Sequence, residues 1–124
     1  VSALEELARQ MRDEDTPIAR HVVDVVPLSA GPADEYALVM EAVREGYLLH
    51  YGESRLLGGH DPDLALLAGD YLYALGLDRL AAMGDTEAVA VLSELIGRCA
   101  QLHAEGRGDE VEPLWVAAGE KLRK

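Results

Sequence analysis

Apolar residues recur along this chain at intervals of three and four, the repeat of one helix face, and that spacing divides it into helical stretches. Leu4, Leu7, Ala8 and Met11 follow Ser2-Ala3-Leu4-Glu5, which fits a capping box, and predict a first helix to about Arg12. Thr16-Pro17 reads as a second N-cap with proline at the first helical position. Ile18, Val22 and Val25 share a face after it, so a short helix is expected. The β-branched run from Val22 to Val26 would also suit a strand, but no second strand stands out to pair with it. Pro27 to Pro32 is a turn-rich connection. From Ala33 a long helix is expected, fraying near Leu57. Tyr36, Val39, Met40, Val43, Tyr47, His50 and Tyr51 lie on one face, with Glu41, Arg44 and Glu45 on the other side.

Gly58-Gly59 breaks that helix, and the most apolar stretch of the chain follows, Asp61 to Gly84. Asp61 followed by Pro62 makes an N-cap and a first helical residue, and Gly84 stands where a helix commonly stops. Leu64, Leu66, Leu67, Ala68, Leu72, Ala74, Leu75, Leu77 and Leu80 leave almost no polar face, so this helix is expected to be covered by others on most sides. Asp85-Thr86 opens a further helix whose stripe is Ala88, Val91, Leu92, Leu95, Ile96, Cys99, Leu102 and His103, ended by Gly106-Arg107-Gly108. Glu112-Pro113 starts a last one, with Val111, Leu114, Trp115, Ala118 and Leu122 on one side. The expected fold is all-α: one domain over residues 1–124, an antiparallel bundle of about five to six helices joined by short loops.

Charge narrows the partners. The 124 residues carry a formal net charge of −12, which repels nucleic acid and anionic membrane surfaces. A free diphosphate would be poorly attracted unless metal ions bridged it. The single cysteine, Cys99, allows no intrachain disulfide. No apolar run approaches membrane-spanning length and no leader is visible, so a cytoplasmic location is expected.

Candidate chemistry centres on polar groups set among apolar neighbours. Asp70 has Leu66, Leu67, Tyr73, Ala74 and Leu77 one turn away. A buried carboxylate there needs a partner, a tyrosine hydroxyl or a histidine of the neighbouring helix; otherwise it is aimed at a cavity or a binding partner. His50 and His103 fall on apolar stripes and are expected to be hydrogen-bonded core histidines rather than catalysts. Tyr47 and Tyr71 belong to a set of five tyrosines in a chain without phenylalanine, whose hydroxyls suit an interior or interface with polar tips. Asp70, His50, Tyr47, Tyr71 and His103 are therefore the candidate buried polar or ligand-facing residues. Asp61 and Asp63 beside His60 suit helix capping better than a metal site, which needs more ligands at characteristic spacing. His60-Asp61 is also the doublet of metal-dependent HD phosphohydrolases, with His21 and His50 as conceivable further ligands, but it precedes a proline instead of lying within a helix. Cys99 is expected to be an inert core thiol. Neither a phosphate loop, nor a nucleophile elbow, nor an HExxH helix is present. No catalytic residue, cofactor or metal ligand is assigned.

Leu66-Leu67-Ala68-Gly69-Asp70-Tyr71-Leu72-Tyr73-Ala74 resembles the polyprenyl diphosphate synthase family, whose members commonly read apolar pair, small residue, Gly, Asp, Tyr, Leu and then an alanine-rich run. The likeness continues through Leu80-Ala81-Ala82-Met83-Gly84-Asp85 and from Val89 to the turn at Gly106. It implies an isoprenoid-synthase-like partial bundle. The two aspartate-rich motifs with which those enzymes hold Mg²⁺ against a diphosphate have no counterpart here; only Arg55, in HYGESRLLGGHD, echoes the first motif's surroundings. Ionising an allylic diphosphate requires that metal.

What the resemblance implies is a non-catalytic subunit of a heteromeric long-chain prenyl diphosphate synthase, packing on the catalytic subunit and shaping its product tunnel. Two further readings stand beside it. One is a helical bundle holding an isoprenoid or acyl chain, and the other a homodimer of purely structural use; the expected assembly is thus a homo-oligomer or a hetero-oligomer with a catalytic synthase subunit.

Overall fold

A computed structural model describes residues 2–23, 34–59 and 61–122. Among them are five α-helices and no strand: α1 (Ala3–Asp13), α2 (Glu35–Tyr51), α3 (Pro62–Ala82), α4 (Thr86–Ala104) and α5 (Glu112–Leu122), an all-α helical bundle. The chain divides into two compact units, Val1–Gly76 and Leu77–Lys124, and the division falls inside α3.

The helix ends follow the local chemistry of the sequence. At α1 the Glu5 N–H donates to the Ser2 hydroxyl at 3.1 Å and the Ser2 N–H donates to the Glu5 carboxylate at 3.2 Å, a complete capping box. Asp34, Asp61 and Asp85 cap α2, α3 and α4 by accepting the N–H three residues on, at 2.7, 2.7 and 3.0 Å. Gly84, at φ +75°, stops α3 because the reversed chain there needs a left-handed residue; the Asp85 N–H then returns to the Leu80 carbonyl.

In the first unit α1 lies against α2. Its core joins Leu4, Leu7, Ala8 and Met11 of α1, Ile18 in the connection after it, Leu38, Ala42 and Leu49 of α2, Leu56 and Leu57 beyond that helix, and Ala68 and Leu72 of α3. Leu7, Leu56 and Leu72 are fully buried, and each contributes about 1.5–3 kcal/mol over an exposed leucine. In the second unit α4 and α5 pack together, burying Leu92, Leu95, Cys99 and Leu102 with Trp115, Ala118 and Leu122. The expected stripes of these two helices and the buried Cys99 are thus observed.

Two expectations change. The short helix after Thr16-Pro17 is a single 3₁₀ turn, Ala19–His21, after which the backbone turns extended. Val22 then forms an isolated antiparallel bridge with Leu57, with the Val23 N–H donating to the Leu56 carbonyl at 2.7 Å and the Gly58 N–H to the His21 carbonyl at 2.9 Å. Val22 and Val23, which open the β-branched run, do find a partner, in the segment where α2 was expected to fray. That helix ends earlier, at Tyr51, because the Leu56 region is held by side-chain acceptors instead of continuing the helix. Val25, the connection Pro27 to Pro32, and His60 lie outside the described residues.

Candidate functional site

The site is built where α2 and α3 of the first unit approach closely, and glycines permit that approach. A Cβ on Gly46 would stand 2.9 Å from the Gly69 carbonyl oxygen and 2.8 Å from the Tyr73 ring. A Cβ on Gly69 would stand 2.7 Å from the His50 ring. Glycine within a helix costs about 1 kcal/mol against alanine, so its presence at both contact points is explained by space, not by helix preference.

Into that space the His50 imidazole lies flat on the Tyr73 ring, with centroids 5.3 Å apart and planes 11° from parallel. Its Nε2 is 3.1 Å from Asp70 Oδ1. An ionised carboxylate only accepts, so this bond puts the ring proton on Nε2. The pair is lopsided: the His50 side chain is 17% exposed and that of Asp70 is 73% exposed. Asp70 is thus bonded to a histidine of the neighbouring helix, as one of the expected arrangements had it, but it is not buried.

That corrects the expectation for α3 as a whole. Leu66 and Leu67 are 51% and 66% exposed. At 100° per residue, Asp63, Leu66, Leu67, Asp70 and Ala74 fall in one stripe, and every one of them is exposed. The opposite side carries Leu64, Ala65, Ala68, Tyr71, Leu72 and Leu75, all turned to the core. A leucine-rich composition does not tell which leucines have neighbours. Here small residues, Ala68, Gly69 and Gly76, let one side of the helix come close to its surroundings, and the other side remains in water.

The remaining candidates separate. Tyr47 is buried, its ring 5.3 Å from that of Tyr51 and beneath the Arg44 guanidinium. The Tyr71 hydroxyl donates to the Glu14 carboxylate at the end of α1, a tie between α3 and α1. His103 belongs to the second unit, where its ring lies against Gly108. His21 Nδ1 is 3.1 Å from the Gly58 carbonyl. Among the described residues no group of three or more His, Cys, Asp or Glu side chains is placed to hold a metal ion, and no helix is long and apolar enough to cross a membrane.

The best-made polar cluster is one that the sequence reading assigned to the outer side of α2. Glu45 is fully buried. Its Oε1 accepts from the Ser54 hydroxyl at 2.8 Å and from the Arg55 and Leu56 N–H groups at 2.8 and 3.0 Å, while Oε2 accepts from Arg55 Nε at 2.7 Å. Arg55 Nη2 continues to Glu41 at 2.8 Å. A buried charge is tolerated when its lone pairs are filled in this way. The correction has a sequence signal: Leu38, Ala42, Glu45 and Leu49 share one helical stripe, and its other three members are core. The cluster shapes the turn that carries Leu56 and Leu57 into the core; both Glu45 oxygens are used internally, so that carboxylate serves the fold.

Comparison with known families, with curated proteins and with solved structures returns no match to this chain.

Proposed function

We propose that this chain is a non-catalytic helical protein that acts by packing the outer face of α3 on a partner, in the manner of a small subunit of a heteromeric isoprenoid diphosphate synthase. The observation that carries the reading is the pair Leu66 and Leu67, two large apolar side chains more than half exposed side by side in the middle of a helix. Single exposed leucines are ordinary on protein surfaces, whereas adjacent ones framed by polar groups suit a docking position. The same two leucines open the stretch that resembles the synthase family, which is what ties the surface to that class of partner.

Co-expression with a full-length polyprenyl diphosphate synthase from the same source tests it. The expected result is a complex that survives size-exclusion chromatography and changes the product chain length, and that Leu66→Asp with Leu67→Asp abolishes. A chain that elutes alone and leaves the synthase's products unaltered overturns the reading.

A further inference from the structure

The exposed stripe of α3 has a charge pattern as well as an apolar one. Its residues Asp63, Leu64, Ala65, Leu66, Leu67, Ala68, Gly69 and Asp70 place an acid, then two leucines three and four positions on, then an acid at the seventh. The two carboxylates stand about 10.5 Å apart along the helix, one on each side of the leucine pair. No lysine or arginine lies on this stripe between Asp63 and Ala74. Asp70 is held on the histidine of α2, so its charge is fixed in direction.

The pattern reads the same in both chain directions, since Asp63 and Asp70, like Leu66 and Leu67, are symmetric about their midpoint. A second copy laid antiparallel with leucine on leucine would set Asp63 against Asp70 twice. Laid parallel in register, it would set each acid against itself. Like charges across an interface disfavour the pairing. The occupant that satisfies all four positions carries the inverse pattern, and the chain's formal net charge of −12 attracts it from a distance.

We infer that the outer face of α3 binds an amphipathic helix of a different protein in which two cationic residues, seven positions apart, flank a pair of large apolar residues. This names the chemistry of the partner and rests on the docking reading above. The leucines supply contact area, and the lysine or arginine pairs at Asp63 and Asp70 set register and exclude a second copy.

The test uses the full chain and three labelled helical peptides of equal length, read by fluorescence anisotropy at low and raised salt. One contains Lys-x-x-Leu-Leu-x-x-Lys. A second has the same composition, scrambled so that lysines and leucines lie on opposite faces. The third has Glu in place of Lys.

The patterned peptide is expected to bind, the scrambled one about tenfold more weakly, and the acidic one not measurably. Raised salt weakens the first. Asp63→Asn and Asp70→Asn each weaken it about two- to fivefold, and Leu66→Ser with Leu67→Ser about tenfold or more. All four positions are exposed, so the variants keep the helical circular dichroism of the parent.

Equal binding of patterned and scrambled peptides overturns the inference, because bulk charge then explains it. Binding of the acidic peptide that depends on the leucines overturns the charge rule and leaves the docking face. Failure of every peptide, with a self-associated chain that Leu66→Ser and Leu67→Ser render monomeric, makes a second copy the occupant and overturns it too. Failure of every peptide with a monomeric chain removes the docking face itself.

Discussion

Two carboxylates on adjacent helices occupy opposite environments. Glu45 of α2 is fully buried and accepts from a hydroxyl, two backbone N–H groups and a guanidinium. Asp70 of α3 is mostly in water and touches one imidazole. The sequence suggests the reverse, since Glu45 has Arg44 beside it and Asp70 lies among leucines. Burial follows from which helix face meets a neighbour, and a carboxylate is carried inside where enough donors meet it there. The first carboxylate therefore organises the fold, and the second is available to a partner.

The largest consequence of that contrast is for stability. Glu45→Ala removes the acceptor for Arg55 Nε, the Ser54 hydroxyl and two backbone N–H groups, and leaves the partly exposed Arg55 with Glu41 as its remaining counter-charge. Destabilisation of about 2–4 kcal/mol is expected from the donors left without their acceptor, measured as a lowered urea midpoint. A loss below about 1 kcal/mol would mean that the turn from Ser54 to Leu57 holds without the carboxylate, and the distinction between the two acids would collapse.

The glycines give a second, smaller test. Gly46→Ala puts a methyl group against the Gly69 carbonyl, which cannot yield without moving the helix backbone, so about 1–3 kcal/mol of destabilisation is expected. Gly97 in α4 is also within a helix, but nothing stands within 4 Å of its Cβ position. There the same substitution is expected to stabilise by about 0.4–1 kcal/mol, from helix preference and the reduced freedom of the unfolded chain. Thermal melts of both variants read the opposite signs. If both stabilise, α2 and α3 do not approach as closely as the His50 and Tyr73 stack requires.

What the sequence made legible was local. Ser2 with Glu5, Asp61, Asp85 and Gly84 act as helix ends because capping depends only on residues a few positions away. The stripes of α4 and α5 could be read because each is buried on one side. The burial of α2 was misread because two stripes of it are buried, Leu38, Ala42, Glu45 and Leu49 on one and Val39 and Val43 on the next, so its acid looked outward against the wrong reference. The bridge of Val22 to Leu57 joins positions far apart in the chain, and no local pattern announces it. The pairing of His50 with Asp70 was foreseen in kind, a histidine of the neighbouring helix, while the exposure of Asp70 depended on how far glycines let the helices close.

An exposed carboxylate with a firmer partner calibrates the second half of the comparison. Glu110 accepts from Arg107 Nε at 2.6 Å and Nη2 at 2.8 Å. Hydrogen bonding to that guanidinium, ahead of its charge, holds the Glu110 carboxyl below the ordinary value of 4.5. A carboxyl with a lowered folded pKa adds stability above its unfolded value, and that contribution is lost as pH falls through the lowered one. Arg107→Ala should return Glu110 to the ordinary carboxylate range in an NMR pH titration. An unchanged titration would show that an exposed pair does not perturb its acid here.

The smallest effect is expected at Asp70 itself. Asp70→Asn keeps an oxygen within reach of the His50 Nε2–H and removes only a charge that water already solvates, so stability should change by no more than about 1 kcal/mol. The histidine ring remains wedged over Gly69 and stacked on Tyr73, since neither contact involves the carboxylate. A near-silent melt, next to the large loss at Glu45, is what a residue kept for the surface predicts. Should Asp70→Asn cost as much as Glu45→Ala, the carboxylate is holding α2 to α3. The outer face of α3 would then owe its acid to the fold, and Leu66 and Leu67 alone would remain to argue for a partner.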